Sequence, residues 1–358
     1  MNSKLIGVLV LALVCFIHEG SFAQQVIAKK SSSWTALGRI QVQHLYNTET
    51  NSDADRTNNG FRIRRGRFQV LGIVTDQIST NFQMEVRDNS PRILDAEGKL
   101  TLFDNFFLRV GQFKVPVWRE ELRSSGSLLL VERSAVAEFL VDYNLSARQI
   151  GVEFGGHLGK TDFAVNYSNG AGEGGREDAG RTKSDVINNG KLLSGRILIP
   201  TGDIFQIGIS GAVNNLGKNT PGSDNRGNVY ALVPDFGIYL PAGLDIEGGL
   251  ALGGMSKDFT GKDEDTKFTL ADATCRWKSK LSTSRSALAG LDGWELAAGI
   301  SYLEPDKNID NNEAMYVRFG PAFYFGSNTR LQLNAEIEDS KAVDETVLQI
   351  RSQMTINF

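Results

Sequence analysis

LQIRSQMTINF, residues 348–358, alternates between apolar and polar side chains and ends on an aromatic residue. Successive side chains of a strand point to opposite faces of a sheet, so this segment predicts a strand with one apolar and one polar face. The apolar face carries Leu348, Ile350, Met354, Ile356 and Phe358. Soluble sheets and membrane-spanning sheets both contain such strands, and the rest of the sequence has to distinguish between them.

The same alternation recurs along the chain. It is found in residues 34–43, 65–74, 82–87, 244–252, 294–301 and 331–338. No comparable stretch repeats its apolar residues at helical spacing. The pattern therefore predicts an all-β protein.

The amino-terminal residues have the features of a secretory signal peptide. Lys4 supplies a positive charge, residues 5–17 are apolar but too short to span a bilayer, and Ser21-Phe22-Ala23 is a small-x-small cleavage site. We therefore expect a signal peptide over residues 1–23 and a mature domain over residues 24–358. A membrane anchor helix is the alternative interpretation.

The composition excludes several classes of protein. The net charge of −4 gives no reason to expect a nucleic-acid partner. A mean hydropathy of −0.21 is too polar for a helical membrane protein but suits a barrel, in which half of each strand faces water. Beyond residue 23 the sequence keeps one cysteine, Cys275, so no intrachain disulfide is expected.

The connections between the alternating stretches are short and long in turn. The short ones are residues 75–78, 104–105, 157–161, 201–203, 241–243 and 326–329, and the long polar ones are residues 47–60, 168–189, 214–228, 257–267 and 304–312. Tight periplasmic turns and longer extracellular loops are typical of outer-membrane barrels. Strands that cross lipid must close into a ring, because an open edge would leave backbone groups unpaired. We therefore predict a transmembrane antiparallel β-barrel of about 16 strands in the bacterial outer membrane.

One stretch, residues 116–144, does not alternate and is too apolar for a free loop. It follows the fifth predicted strand, so it leaves the barrel on the extracellular side as the third loop. Residues 128–131, with Phe139 and Leu140, need burial. We expect an inward-folded third loop that constricts the lumen. An external loop packed on its neighbours is the alternative.

Four motifs occur in an order that resembles the phosphate-selective porin O and P family. They are FRIRRGRFQVLG at 61–72, LFDNFFLRVGQFKVPVWREE at 102–121, VERS at 131–134 and RQIGVEFGG at 148–156. The resemblance is strongest between Phe61 and Gly156. It implies a barrel of sixteen strands, a trimeric assembly, an inward-folded third loop and a preference for anions.

The resemblance also implies a substrate path. The family's arginine ladder corresponds to Arg64, Arg65 and Arg67, its GQFK element carries Lys114, and its VERS element carries Arg133. The sequence departs from the family's phosphate specialists because residues 121–130 contain no lysine. The resemblance therefore implies anion passage more strongly than phosphate specificity.

Parity predicts which charges line the lumen. Besides Arg65 and Arg67, the lumen-facing arginines are Arg39, Arg196, Arg276, Arg318 and Arg351. The acids predicted to face inward, and therefore able to cancel part of this charge, are Glu85, Glu247, Glu295, Glu336 and Glu338. Arg62 and Arg64 share the parity of the lipid-facing Phe68, which predicts that they lie above the lipid at the mouth of the barrel.

The sequence therefore predicts a passive outer-membrane porin for small anions, with phosphate or polyphosphate as candidate solutes. The alternatives are a general, weakly selective porin and a barrel that is not a channel, either an adhesin or receptor or a phospholipase-type enzyme. Only His44 and His157 remain beyond residue 23, neither in the context of a nucleophile, so no catalytic, metal-binding or cofactor-binding residue is predicted. The expected partners are small anions, the lipid bilayer and lipopolysaccharide, the outer-membrane assembly machinery, and two further copies in a homotrimer.

Overall fold

The computed structural model describes residues 32–48, 59–87, 90–103, 105–172, 190–216, 227–281, 290–342 and 345–358. The predicted signal peptide lies outside the described residues. Within these ranges the strands are Ser33–Asn47 (β1), Asn59–Ile73 (β2), Ile78–Arg87 (β3), Ser90–Leu102 (β4), Phe106–Lys114 (β5), Arg148–Leu158 (β6), Thr161–Ser168 (β7), Leu192–Thr201 (β8), Phe205–Leu216 (β9), Gly227–Tyr239 (β10), Leu244–Met255 (β11), Thr266–Lys280 (β12), Leu291–Glu304 (β13), Ala314–Phe325 (β14), Thr329–Ser340 (β15) and Glu345–Asn357 (β16). The helices of the same ranges are Arg119–Leu122 (α1), Ala135–Asp142 (α2) and Lys257–Thr260 (α3).

The strands form one closed antiparallel barrel. Each strand pairs with its neighbours in the chain, and β1 pairs with β16 to complete the ring. At this seam Arg39 lies opposite Asn357, and the backbone of Gly38 exchanges hydrogen bonds of 2.6 and 3.0 Å with Phe358. The predicted all-β barrel of sixteen strands is confirmed.

The two faces of the barrel wall differ in polarity, as the alternation predicts. Along β1, Ile40 and Val42 are exposed, whereas Gln41 and Gln43 are fully buried. Exposed apolar side chains cover the outer face around the ring, where lipid would contact them. No helix among the described residues combines the length and the apolar character needed to cross a bilayer.

Tight turns connect consecutive strands at one end of the barrel. Gly159, Gly202 and Gly326 occupy them with φ of 65°, 69° and 68°, a left-handed conformation that glycine adopts without steric cost. The predicted alternation of short and long connections has exceptions. At the opposite end β3 and β4 are only two residues apart, whereas on the turn side β12 and β13 are separated by residues 281–290.

The connection between β5 and β6, residues 115–147, carries α1 and α2 and is called the third-loop segment below. Ser134 caps α2 by accepting a hydrogen bond of 3.2 Å from the backbone N–H of Ala137. Leu140 of this helix is fully buried in an apolar cluster that includes Val233 of β10 and Leu270 of β12. In this part of the ring the strands are therefore apolar on both faces, which the alternation did not predict.

Candidate functional site

The third-loop segment contacts strands on different sides of the ring. Arg119 donates from Nε to Asp235 of β10 at 2.9 Å, and Arg123 pairs with Glu247 of β11. The backbone N–H of Val131 donates to Asn334 of β15 at 2.6 Å. Further contacts reach β1 and β2, so the segment is fixed to the wall at several separate strands.

A β-bulge in β2 determines where its arginines point. Gln41 of β1 lies opposite Arg65, but the next residue of β1 lies opposite Ile63, so Arg64 is the extra residue of the bulge. The bulge shifts the parity of β2 and brings Arg62 opposite Gln43, to which its Nε donates at 2.8 Å. The parity that Arg62 and Arg64 share with Phe68 in the sequence therefore does not hold in the structure, because it assumed a regular strand. Their position at the mouth of the barrel stays a prediction.

Glu132 of the third-loop segment holds the bulge. It accepts hydrogen bonds from Arg64 at two oxygens, 2.6 Å from Nε and 2.8 Å from Nη2. Arg65 donates to it at 3.4 Å and Gln43 at 3.0 Å. Burial opposes ionisation of Glu132, but the hydrogen bonds and charges of these arginines hold its pKa below the usual value, so the group is ionised.

Arg39 and Arg67 lie beside the turn at Ser125. Arg39 donates from Nη1 to the Ser125 hydroxyl at 3.2 Å and from Nε to Asn357 at 2.7 Å. Arg67 donates to the same hydroxyl at 2.8 Å and pairs with Glu85 at 2.8 Å. Two predicted lumen arginines thus meet the third-loop segment at one serine.

Lys114 and Arg133 converge on Glu121, a buried residue of α1. The Lys114 ammonium is 3.5 Å from one carboxylate oxygen and Nε of Arg133 is 2.6 Å from the other. Both side chains also donate to the backbone carbonyl of Arg123 at 3.0 Å. The structure therefore brings these two predicted path residues together around one acid.

The predicted path residues and their neighbours form a cluster with few acids. We call Arg39, Arg62, Arg64, Arg65, Arg67, Lys114 and Arg133 the basic cluster. The carboxylates paired with its members are those of Glu85, Glu121 and Glu132. No carboxylate among the described residues lies within ion-pair distance of Arg39. The cluster therefore keeps a surplus of positive charge.

The other predicted lumen arginines are each paired with an acid of the same wall. Arg196 donates from Nη2 to Asp235 at 2.8 Å, and Arg276 donates from Nε to Asp245 at 3.1 Å. The remaining two pairs are Arg318 with Asp272 at 2.8 Å and Arg351 with Glu336 at 3.1 Å. Much of the positive charge in this part of the ring is therefore cancelled. Of the acids in these four pairs, only Glu336 was among those predicted to face inward.

The sequence interpretation did not include several basic residues of the site. Arg330, which is 5% exposed, pairs with Glu295 and donates from Nη1 to the carbonyl of Leu128 at 2.8 Å. Its parity relative to the outward-facing Leu331 could have revealed it. Arg119 and Arg123 of the third-loop segment carried no such signal, because that segment does not alternate.

The fold and the polar interior define the class of the protein. A closed ring of sixteen antiparallel strands, apolar outside and charged on the opposite face, is the architecture of an outer-membrane porin. Residues 38–232 match the phosphate-selective porin O and P family, and the chain belongs to that family. The predicted family and the predicted location in the bacterial outer membrane are confirmed. No curated protein matches the chain.

Solved porin structures share the fold. The anion-selective porin from Comamonas acidovorans is 11% identical, with a TM-score of 0.63 over 91% of this chain and 100% of that chain. The outer-membrane channel DcaP of Acinetobacter baumannii is 11% identical, with a TM-score of 0.61 over 92% and 98%. The in-vitro folded trimer form of OmpT from Vibrio cholerae is 11% identical, with a TM-score of 0.59 over 91% and 99%.

These findings distinguish between the alternatives at the level of class. The protein is an outer-membrane porin channel, and porins are channels rather than enzymes. The adhesin or receptor alternative and the phospholipase-type alternative receive no support from the family or from these structures.

Proposed function

We propose that this porin passes small anions such as phosphate by passive diffusion along the basic cluster. The observation that carries the proposal is the surplus of positive charge where Arg39, Arg65 and Arg67 meet the third-loop segment. Fixed guanidinium groups within a low-dielectric wall raise the local concentration of anions and lower the barrier to their passage. Arginine also binds phosphate and carboxylate groups with two parallel hydrogen bonds.

We further propose that the third-loop segment lies inside the lumen and forms its constriction. Its contacts support this arrangement, because Glu132 binds β2, Arg119 binds β10 and Val131 binds β15. The shortest route between these strands crosses the inside of the ring. The predicted division into a signal peptide, residues 1–23, and a barrel, residues 24–358, completes this proposal.

A homotrimer in a bilayer of lipid and lipopolysaccharide is the proposed assembly. The OmpT structure described as a trimer form has the same fold and supports this arrangement. We also propose that the assembly machinery reads residues 348–358. Chemical cross-linking of the protein in outer-membrane fragments would give a three-chain product, and cross-linking that stops at one chain would contradict the proposed trimer.

A general, weakly selective porin is the second candidate. It is favoured by the ion pairs on the rest of the wall, such as Arg196 with Asp235 and Arg318 with Asp272. These pairs cancel positive charge that would otherwise favour anions over cations. The absence of lysine from residues 121–130 also argues against strong phosphate specificity.

Ion selectivity measured in a planar bilayer distinguishes the two candidates. We expect the reversal potential in a salt gradient to show anion preference, and phosphate to block the chloride current. Replacing Arg65 and Arg67 together with alanine should lower the anion-to-cation permeability ratio about threefold for each charge removed. The control is Lys341→Ala, which removes one exposed positive charge from a loop. Cation preference in the wild type would exclude the anion function, and an unchanged ratio in the double variant would remove both arginines from the path.

The acidity of Glu138 predicts a pH dependence of selectivity. Glu138 belongs to α2, and its pKa is raised to about 7 by partial withdrawal of its carboxylate from water and by the carboxylates of Glu132 and Glu336. It is neutral below that pH and negative above it. The anion-to-cation ratio should therefore fall about twofold as pH rises through 7.

The variant Glu138→Gln tests this assignment. It should keep the higher, low-pH ratio throughout the range, while Glu313→Gln, which removes an acid from an outer loop, should respond to pH like the wild type. A Glu138→Gln channel with the pH response of the wild type would assign the titration to another group.

A further inference from the structure

Two acids of the third-loop segment bind the cationic groups that a permeating anion would need. Glu132 occupies the fork of Arg64 with hydrogen bonds of 2.6 and 2.8 Å. This is the geometry in which a guanidinium binds a phosphate or carboxylate solute. The donors of Arg64 that would recognise an oxyanion are therefore already satisfied by the protein itself.

Glu121 likewise pairs with the other two path residues, Lys114 and Arg133. Its carboxylate is 2.6 Å from Arg133 and 3.5 Å from Lys114, and it is 4% exposed. A carboxylate so far removed from solvent is weakly screened by salt, and its charge acts strongly on its neighbours. Five members of the basic cluster thus have Glu121 or Glu132 as their acidic partner.

The two acids are placed differently from the acids of the wall. Glu121 and Glu132 belong to the third-loop segment, whereas Glu85, the remaining acidic partner in the cluster, belongs to strand β3. The segment that is proposed to narrow the channel therefore also supplies most of the negative charge that the basic cluster meets.

We propose that Glu121 and Glu132 are built-in counter-ions that set the anion selectivity of the channel. This inference rests on the proposed anion path. The two carboxylates compete with permeating oxyanions for the same guanidinium and ammonium groups, and they keep anion binding weak enough for release. A channel conducts only when its sites bind an ion well enough to admit it and weakly enough to let it leave.

Glutamine at either position tests the proposal, because it keeps the size and hydrogen-bonding capacity of the side chain and removes its charge. In separate Glu132→Gln and Glu121→Gln channels, the chloride-to-potassium permeability ratio should rise about threefold or more. Phosphate should then block the chloride current at a correspondingly lower concentration.

Three controls separate charge from position. Glu132→Asp and Glu121→Asp keep the charge but shorten the side chain, so the ratio should rise much less than in the glutamine channels. Glu313→Gln removes a negative charge from an outer loop and should also leave the ratio unchanged. Liposome swelling with neutral sugars of increasing size should give the same cut-off for all variants, because a purely electrostatic change does not widen the pore.

An unchanged ratio in both glutamine channels would overturn the proposal. The proposal would also be overturned if the aspartate variants raised the permeability ratio as much as the glutamine variants, or if the rise came with a larger sugar cut-off. Either result would mean that the third-loop segment has moved. Folding is judged first by heat-modifiable electrophoretic mobility, and if one glutamine variant fails to fold the other decides.

If neither folds, the pair Arg64→Gln with Glu132→Gln, which removes one charge of each sign, is measured instead. The pair is compared with Arg64→Gln alone: a ratio about threefold higher in the pair supports the proposal, and equal ratios overturn it. The proposed anion function is tested by the wild-type channel alone, and cation preference there would exclude it. The counter-ion proposal is tested by the change in ratio between wild type and variant, so the two can fail independently.

Discussion

Substituting Arg330 with methionine is expected to raise the single-channel conductance and the current noise of this porin. Arg330 donates to the carbonyls of Leu128 and Leu129, at 2.8 and 3.2 Å, and pairs with the buried Glu295. Methionine fills a similar volume but makes none of these bonds. Removing one partner of a buried ion pair costs about 3–5 kcal/mol when the other charge is left without compensation. Glu295 would keep the hydrogen bond of 2.6 Å from Tyr324 and the contact of 3.6 Å with Arg276, so we expect a smaller cost here. We expect the third-loop segment to relieve this cost by detaching from β15.

The control for this prediction is Arg351→Met. Arg351 pairs with Glu336 on the neighbouring strand and donates to Gln349, and both partners belong to the wall rather than to the third-loop segment. Its substitution should change selectivity but not the conductance noise. Wild-type conductance and noise in the Arg330→Met channel would show that this arginine does not hold the segment.

Truncating Leu140 to alanine is expected to release α2 from the wall. Leu140 is fully buried among apolar side chains of the segment, such as Val136, and of the strands, such as Val233. Leucine-to-alanine changes at such sites cost about 2–5 kcal/mol, because a cavity remains where the side chain packed. Most of that cost falls on the docked state of the helix, since the barrel strands keep their hydrogen bonds.

Limited trypsin digestion of the folded protein measures this release. Cleavage after Arg133, at the start of α2, should be much faster in Leu140→Ala than in the wild type. Leu122→Ala is the matched control, because Leu122 belongs to the same segment but is exposed, and surface substitutions usually change stability by less than about 0.5 kcal/mol. Equal protection of the Leu140→Ala and wild-type proteins would mean that α2 does not depend on this contact.

The architecture was predictable from the sequence because a membrane barrel imposes a strict two-residue period. Lipid requires an apolar outer face, and this gives stretches such as Gln41 between Ile40 and Val42, where the side-chain direction follows directly. The side-chain directions predicted for Arg196, Arg276 and Arg318 follow from the same parity, but the aspartates with which they pair were not among the predicted inward-facing acids. Strand number followed from the turns, even though some connections depart from the expected lengths.

Two features of the site were not predictable in this way. The bulge at Arg64 changes side-chain direction without a distinctive residue such as glycine, and so parity misplaced both Arg62 and Arg64. The inner apolar patch around Val233 and Leu270 was also missed, because strands that are apolar on both faces give no alternation to read. The sequence indicated this patch only indirectly, because the apolar residues of the third-loop segment required an apolar surface to pack against.

The seam between β1 and β16 has a consequence for how the protein is made. Arg39 and Asn357, which bond across it at 2.7 Å, are separated by 318 residues of chain. All other strand pairs join neighbours in the chain and can form as hairpins, whereas this pair has to wait until both ends of the sheet are present. Until then two unpaired edges remain, and each is costly in lipid and able to pair with another protein. The unfinished sheet is therefore the form of this protein with the most unpaired backbone, and formation of the seam removes both exposed edges at once.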